Sequence, residues 1–350
     1  MPKFINKERA IYICLILVTL LFLYITDNFF GSYSTRVINT IAIFVILAVS
    51  YNLINGVTGQ FSLEPNGFVA VGAYVSALLL INAEEKSYQY LMEEPTAFVL
   101  WLQSDFIIAL LISGICSALL ALFLSFPVFR VRGDYLAIVT LGFGFIIQIF
   151  AINNPQITNG ATGITNIVKE NGENFVNIYW TGIAAIITVV CILNIIRSKY
   201  GRAMKAVRDD EDAALAMGIN TFKIKTLAFC TSAFFEGVGG GLLAAFMTTV
   251  SPDQFSFFLT FQLLIIIVLG GLGSTTGAIL GTILVVGGSE WLRFLDEPMN
   301  IFGYQTSAMP GLRMVVFSII LILVMLFARR GIMGSGEIND FIKKVWAKIR

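Results

Sequence analysis

The segment from 197 to 225 carries the densest charge of this chain and reads RSKYGRAMKAVRDDEDAALAMGINTFKIK. Asp209 can cap a helix, and Glu211 and Asp212 would follow in its first turn, where the helix dipole favours acidic side chains. Gly218 stands where such a helix would end. The segment therefore predicts a short charged helix that begins at Asp209 and ends at Gly218.

This predicted helix would present a smooth apolar patch, formed by Ala213, Ala214 and Met217 and ringed by charge. A face of small side chains on a charged helix can settle into a groove on another protein. A solvated connecting loop with no partner is the alternative interpretation. The residues assigned to the contact surface are Arg202, Arg208, Asp209, Asp210, Glu211, Asp212, Ala213, Ala214, Met217 and Gly218.

A second candidate site is the break Gly270-Gly271-Leu272-Gly273-Ser274 inside the apolar stretch 257–290. Ser274 or Thr275 could cap a half-helix whose N-terminal amides face a cavity, and such helix ends favour a substrate carboxylate. That chemistry would suit a zwitterionic amino acid with an apolar side chain. The alternative is that the glycines only allow close helix packing.

Glu236 is the lone acidic residue within a clear apolar span. An acid in a membrane span is costly and points to a substrate path, although a hydrogen bond to a neighbouring helix would explain it as well. The loop at 158–163 either lines an outer vestibule or forms a turn rich in Asn and Gly. The candidate path residues are Gly270, Gly271, Gly273, Ser274, Thr275, Glu236, Thr162 and Gly163.

Regularly spaced glycines predict where helices approach each other closely. Gly237, Gly240 and Gly241 lie along one face of the span at 226–248, and Gly277 and Gly281 continue a four-residue repeat after the break. Bare helix faces of this kind allow van der Waals contact between backbones in lipid. We therefore predict that these five glycines lie in helix–helix contacts.

The composition places these candidate residues in a membrane. Of the 350 residues, 57% are hydrophobic and 13% are charged, whereas an ordinary soluble domain has about 25% charged residues. So few charges could not cover a soluble globule of this size. The net charge of +1 also argues against a nucleic-acid partner.

Several kinds of chemistry are excluded by residue types that are missing from the sequence. The chain has no histidine, and its four cysteines are scattered singly through apolar runs, which is typical of small buried hydrophobes. The phosphate-binding, dinucleotide-binding and serine-nucleophile motifs are absent as well. We therefore expect no enzyme activity, no metal and no cofactor on this chain. If ATP is used, another chain must hydrolyse it.

The apolar runs predict an all-α, polytopic integral membrane helix bundle with about ten crossings. The stretch 257–290 is too long for one span and short for two, so it is interpreted as a broken or re-entrant hairpin. With the N-terminus inside, most of the 23 Lys and Arg residues fall on the inner side, as the positive-inside rule requires.

The other predicted spans are 10–26, 36–54, 67–82, 106–127, 135–152, 178–196, 226–248 and 312–328. The predicted parts are an N-terminal anchor and outer loop (1–35), a transmembrane domain (36–328) with the cytoplasmic loop 197–225, and a basic cytoplasmic tail (329–350).

Several segments together resemble one family. Asp212-Ala213-Ala214-x3-Gly218 is similar to the EAA motif of ABC-importer permeases, the coupling helix that docks on ATP-hydrolysing subunits. The wider run GRAMKAVRDDEDAALAMGI resembles the same loop in branched-chain amino-acid permeases of the LivM type. Further similar segments, in the expected order, are GQFSLEPNGFVAVGAY (59–74), RVRGDYLAIVTLGFG (130–144), TNGATGI (158–164), SPDQF (251–255) and VLGGLGSTTGAILG (268–281). The resemblance runs from about residue 36 to residue 328.

The resemblance implies a permease subunit of an ATP-driven importer in a bacterial inner membrane, with both termini in the cytoplasm. The implied substrates are leucine, isoleucine and valine. The implied partners are a second, homologous permease of the LivH type, two ATP-binding subunits of the LivG and LivF type that hold ATP–Mg, and a periplasmic amino-acid-binding protein. This chain would hold the translocation path and no cofactor.

The sequence departs from the resembled pattern at four places. Glu64-Pro65 stands where the family usually has Gly-His, Phe145 where it often has Glu, Glu236 where it has Ala, and Asp212 where the coupling motif begins with Glu.

A urea or short-chain amide permease is an alternative of the same class. An ion-coupled secondary transporter is an alternative of another class; it would call for paired intramembrane acids or an internal duplication. A membrane-embedded enzyme is a third.

Overall fold

The computed structural model describes residues 18–29, 31–90, 95–131, 133–169, 171–296, 300–301, 304–305, 311–328, 331–334 and 336. Most of these residues are helical. The longer helices are α1 (Val18–Phe29), α2 (Ser32–Asn52), α3 (Pro65–Leu80), α6 (Phe106–Val128), α7 (Asp134–Asn153), α9 (Ile178–Arg197), α10 (Lys199–Asp209), α12 (Thr221–Met247), α13 (Phe257–Gly270) and α16 (Leu312–Phe327). The shorter ones are α4 (Ala83–Gln89), α5 (Ala97–Trp101), α8 (Pro155–Thr158), α11 (Glu211–Ala216), α14 (Thr275–Thr282) and α15 (Gly288–Trp291). A two-residue antiparallel pair, β1 (Asn300–Ile301) and β2 (Tyr304–Gln305), precedes α16.

Among the described residues, five helices are long and apolar enough to cross a bilayer: Ser32–Val57, Phe106–Val128, Tyr135–Asn153, Ile178–Arg197 and Thr221–Met247. Two further pairs meet the same requirement only when joined. They are Pro65–Leu80 with Ala83–Gln89, bent by 116°, and Phe257–Gly270 with Thr275–Trp291, bent by 119°. These elements confirm the predicted all-α polytopic membrane bundle. The total of about ten crossings stays a prediction.

The first two helices depart from their predicted limits. α1 continues to Phe29, beyond the predicted end at residue 26, and α2 begins at Ser32 rather than at 36. The connection between α1 and α2 is therefore shorter than expected, because Gly31 adopts an extended backbone and starts the next helix directly. Residues 10–17 of the predicted first span, and most of the predicted tail 329–350, lie outside the described residues.

The acidic segment between α3 and α6 contains structure that the sequence did not predict. It forms the short helices α4 and α5, and Lys86 of α4 is buried between them. The Lys86 ammonium donates to the carbonyl oxygen of Val99 at 2.9 Å and also to that of Leu102. A buried cation needs such oxygen partners, so Lys86 fastens α4 to α5.

The core is organised around α12, which packs against α2, α3 and α6. An added Cβ at Gly240 would lie 2.1 Å from the carbonyl oxygen of Val69, and one at Gly72 would lie 2.1 Å from that of Gly237. α3 and α12 therefore touch through their backbones. Gly237 and Gly241 also approach Ser113 on α6, so the predicted glycine face meets two helices.

The apolar stretch 257–290 is broken where the sequence predicts. α13 ends at Gly270, and the chain turns through Gly271 and Gly273, whose φ angles are +115° and +86°. Only glycine adopts such angles without strain. The two arms then pack by backbone contact, since an added Cβ at Gly277 would lie 2.4 Å from the Gly270 carbonyl oxygen and one at Gly281 would lie 2.3 Å from that of Ile266.

Between α2 and α3 the chain has no regular structure from Thr58 to Glu64. Thr58, Ser62 and Glu64 are buried, so the backbone here needs partners inside the protein. The Ser62 amide donates to Asn55 Oδ1 at 2.8 Å, and its carbonyl accepts from the Tyr51 hydroxyl at 2.7 Å. These side chains of α2 and its final turn hold the irregular segment in place.

We expect Gly240→Ala to destabilise the bundle, because the new methyl group would overlap the Val69 carbonyl oxygen and overpacking of this kind costs about 1–3 kcal/mol. The midpoint of thermal unfolding of the purified chain in detergent should fall. The matched control is Gly142→Ala on α7, where an added Cβ has no atom within 4 Å. A Gly240→Ala midpoint equal to that of the control would contradict the backbone contact between α3 and α12.

Candidate functional site

The charged segment folds into two successive helices at one end of the bundle. Ser198 caps α10 by accepting a hydrogen bond from the Tyr200 amide at 3.1 Å. α10 is amphipathic, with Gly201, Met204 and Val207 buried against the bundle and its charged side chains facing outward. The surface expected from the sequence is therefore built on an amphipathic helix followed by the shorter α11.

The structure corrects the position of the helix cap. Asp210, not Asp209, begins α11: its Oδ1 accepts hydrogen bonds from the amides of Asp212 and Ala213 at 2.9 and 3.0 Å. Asp209 instead ends α10 and forms an exposed ion pair with Arg208 at 3.1 Å. The reason is the extended backbone of Asp210, which separates the two helices and leaves its side chain free to cap the second.

The C-terminal end of α11 agrees with the sequence. Gly218 adopts a φ of +83°, the left-handed conformation that ends many helices. Its amide donates to the carbonyl of Leu215 at 2.9 Å, and the next amide, of Ile219, donates to that of Ala214 at 3.0 Å. Gly218 thus closes the helix and turns the chain towards α12.

The apolar patch differs in composition from the prediction. Ala213 and Met217 face outward, with Met217 83% exposed, whereas Ala214 is buried against the protein. Leu215, 45% exposed, takes the place of Ala214 on the outer surface. Since α11 has fewer than two turns, a single buried position is enough to seat it on the bundle. We call Ala213, Leu215, Ala216 and Met217 the exposed apolar face of α11.

An ion pair fastens α11 to the long core helix α12. Lys225 Nζ lies 2.6 Å from Glu211 Oε2, and the Lys225 side chain is only 5% exposed. Pairs at this degree of burial cost more to break than exposed ones, because the remaining charge loses its partner. A force on α11 would therefore reach α12 through Glu211 and Lys225.

A second contact joins α10 to the glycine-rich break. An Arg208 guanidinium nitrogen donates to the Gly56 carbonyl oxygen at 3.3 Å, and Gly273 donates its amide to Asn52 Oδ1 at 2.9 Å. The backbone of Gly56 also lies directly against Gly273. The break therefore lies at the end of the bundle that carries α10, beside Arg208.

Around the break, the polar groups are engaged within the protein. Ser274 caps α14 by accepting from the Gly277 amide at 3.0 Å, and its own hydroxyl donates to the Gly336 carbonyl at 2.7 Å. Gly271 packs against the backbone of Gly334, and Thr275 is buried. The role of Gly270, Gly271, Gly273, Ser274 and Thr275 in a substrate path stays a prediction.

Thr162 and Gly163 lie in another part of the molecule, beside the end of α12 that is remote from α10. The Thr162 hydroxyl donates to the Asn159 carbonyl at 2.6 Å. The next residue, Ile164, pairs with Val250 through two backbone hydrogen bonds of 2.8 Å. The candidate path residues are thus divided between the two ends of the bundle, with Glu236 halfway along α12.

A polar cleft of about 970 Å³ opens at this second end, between α2, the start of α9 and the end of α12. Sequence reasoning missed it, because its lining comes from separate segments. Side chains of both charge signs line it, together with several neutral polar groups. They include Asp27, Arg36, Glu290 and Arg293, and also Asn39, Asn177, Thr248 and Gln254.

Glu236 is fully buried, and the structure brings a second acid to it. Glu64, at the start of α3, is 1% exposed and lies within electrostatic range of Glu236. Sequence reasoning considered Glu236 alone, although Glu64 and Glu236 are two of the four places where the sequence departs from the resembled pattern. Nothing in the local sequence shows that residues so far apart in the chain meet.

Apolar helices long enough to cross a bilayer, joined to a charged helical pair that faces outward, define this chain as a polytopic membrane protein. Within the described residues, no group of three or more acidic or cysteine side chains could hold a metal ion.

The chain belongs to the family described as the branched-chain amino acid transport system / permease component, whose model matches residues 33–325. It is 36% identical to the high-affinity branched-chain amino acid transport system permease protein LivM of Escherichia coli K12, over 81% of this chain and 69% of that protein. The LivM of Salmonella typhimurium is 35% identical over 73% of this chain and 62% of its own length. The permease protein LivH of Salmonella typhimurium is 26% identical over 85% of this chain and 92% of its own. No solved structure matches the chain significantly.

Asp210→Ala should loosen α11, because it removes the acceptor for two amides. Loss of an N-cap costs about 1 kcal/mol, which is about a fivefold rise in local opening. Hydrogen–deuterium exchange of the amides at 212–217 should therefore accelerate by that factor. Asp209→Ala is the matched control and should leave these rates unchanged, whereas faster exchange in Asp209→Ala alone would restore Asp209 as the cap.

Proposed function

We propose that this chain is the membrane-spanning permease subunit of an ATP-driven importer for leucine, isoleucine and valine. The observation that carries the proposal is the family match over residues 33–325, together with relatives named as branched-chain amino acid permeases. ATP–Mg would be held by two partner ATPase subunits. This chain would contribute half of the translocation path and no cofactor.

The exposed apolar face of α11 supports docking on an ATPase subunit. It combines a solvent-exposed Met217 with a ring of charged side chains on α10 and α11. A small helix with this composition fits an apolar groove with a polar rim. The residues that resemble the EAA motif begin in α11, at one end of the bundle.

The contacts behind α11 suggest how force would be transmitted. When the ATPases close, α10 and α11 would be displaced, and the Glu211–Lys225 pair would carry that displacement to α12. Arg208 would carry it to Gly56 and to the break near Gly273. The bundle would then alternate between inward-open and outward-open states, which moves substrate only if the two states bind it differently.

The polar cleft at the remote end supports a zwitterionic substrate. Arg36 and Arg293 could face the carboxylate of an amino acid, and Asp27 and Glu290 its ammonium group. The cleft would receive the amino acid from a periplasmic binding protein in a bacterial inner membrane. Similarity to LivH-type permeases supports pairing with a second, homologous permease. Both chain termini would lie in the cytoplasm.

Met217→Glu should weaken docking on the ATPase by about tenfold or more, because it places a charge where an exposed apolar side chain would become buried. Amino-acid-stimulated ATP hydrolysis in liposomes, and copurification of the ATPase with this chain, should both fall. Met217→Leu is the matched control and should preserve both. If the Met217→Glu variant kept wild-type ATP hydrolysis and wild-type copurification of the ATPase, α11 would be only a connecting turn.

The assembled complex in proteoliposomes should accumulate radiolabelled leucine, isoleucine or valine only when ATP is supplied. Inactivation of the partner ATPase should abolish uptake, while an ionophore should leave it intact. Uptake of urea or acetamide in place of these amino acids would favour the amide permease. Uptake that survives ATPase inactivation and is lost with the ionophore would identify a secondary transporter.

A further inference from the structure

Two carboxyl groups are buried near each other in the bundle without counterions. Glu64 is 1% exposed and Glu236 is fully buried. Neither oxygen of Glu64 is hydrogen-bonded to another residue, and Oε2 of Glu236 is equally without a partner. In the part of the chain that the structure describes, none of the ion pairs involves either acid.

Among the described ion pairs, no cation of the surrounding helices is paired with either acid. α3, α6 and α13 contain no Asp, Glu, Lys or Arg, and the only such residue in α2 is Arg36, at the far end beside the polar cleft. α7 carries Asp134 and Tyr135 at its start, and the lysines of α12, Lys223 and Lys225, lie near its beginning, where Lys225 pairs with Glu211. The other titratable groups on these helices are tyrosines and cysteines. Tyr51 is in electrostatic contact with both acids, and its hydroxyl donates to the Ser62 carbonyl. Two neighbouring carboxylates in a low dielectric repel each other, which disfavours ionisation of both at once.

The hydroxyl group of Ser232 lies within hydrogen-bond distance of two oxygen atoms. Ser232 Oγ is 2.7 Å from the Ser50 carbonyl oxygen and 2.9 Å from Glu236 Oε1. A hydroxyl has one proton, so Ser232 cannot donate a full hydrogen bond to the Ser50 carbonyl and to a Glu236 carboxylate at once. A neutral Glu236 removes this competition, because it can donate its own proton to Ser232 while Ser232 donates to Ser50. The two distances therefore favour a neutral carboxyl group on Glu236.

We propose that Glu64 and Glu236 form a proton-binding site in the interior of the bundle, with one proton on Glu236 donated to Ser232 Oγ. A proton is the ligand that fits, because both acids are buried and neither lines the polar cleft. An amino acid would need a cavity there. The proposal concerns the chain itself and does not depend on the transported substrate or on the ATPase partners.

Infrared spectroscopy of the purified full-length chain tests this site directly, because the carbonyl stretch of a protonated carboxyl group absorbs at a different frequency from the stretch of a carboxylate. The wild-type chain at neutral pH should show such a band, and the double variant Glu64→Gln/Glu236→Gln should lose it. Glu236→Gln alone should abolish absorption at the wild-type frequency of the band. Ser232→Ala, a milder change, should shift the band because the carboxyl group loses its acceptor.

Glu84→Gln, which alters an exposed carboxyl group on α4, is the matched control and should leave the band unchanged. Absence of the band in the wild-type chain at neutral pH would overturn the proposal without any variant having to fold. Survival of the band in the double variant would overturn it too. Loss of the band on addition of Na⁺ at constant pH would identify a metal-cation site and would equally overturn the assignment to a proton.

Discussion

Hydrocarbon offers no hydrogen-bond partners, so each polar backbone group inside this bundle must be satisfied by the protein itself. The non-helical segment from Thr58 to Glu64 shows this constraint, since its buried residues find partners within the protein. Tyr51 and Asn55 complete the hydrogen bonds of Ser62, and Thr140 on α7 accepts from the Leu63 amide at 2.9 Å. These three polar side chains therefore hold a non-helical segment in place between two helices.

The same constraint explains why α12 combines glycines with an acid. Gly237 and Gly240 remove side chains where α3 approaches, so that backbone meets backbone. This close approach carries the start of α3, and with it Glu64, to the middle of α12, where Glu236 lies. The two acids are therefore buried where α3 and α12 are in close contact. There, Ser232 Oγ contacts both the Ser50 carbonyl oxygen and Glu236 Oε1.

A continuous set of contacts connects the charged end of the bundle to its interior. Arg208 of α10 holds the Gly56 carbonyl and packs against Gly59, at the start of the irregular segment that ends at Glu64. Lys225 forms the parallel connection from Glu211 to α12, which carries Glu236. The first contact thus lies at the start of the segment that leads to Glu64, and the second lies on the helix that carries Glu236.

The sequence by itself determined the membrane class, the helical character of the bundle, the break at Gly270–Ser274 and the helix end at Gly218. These features depend on local hydropathy, on glycine conformation and on capping, which act over a few neighbouring residues. The tertiary structure alone decided that Asp210 rather than Asp209 caps α11, because the separation of α10 from α11 depends on how α10 packs. It also decided that Ala214 faces inward, and that Glu64 meets Glu236. Contacts between residues distant in the chain depend on helix packing, which no local pattern records.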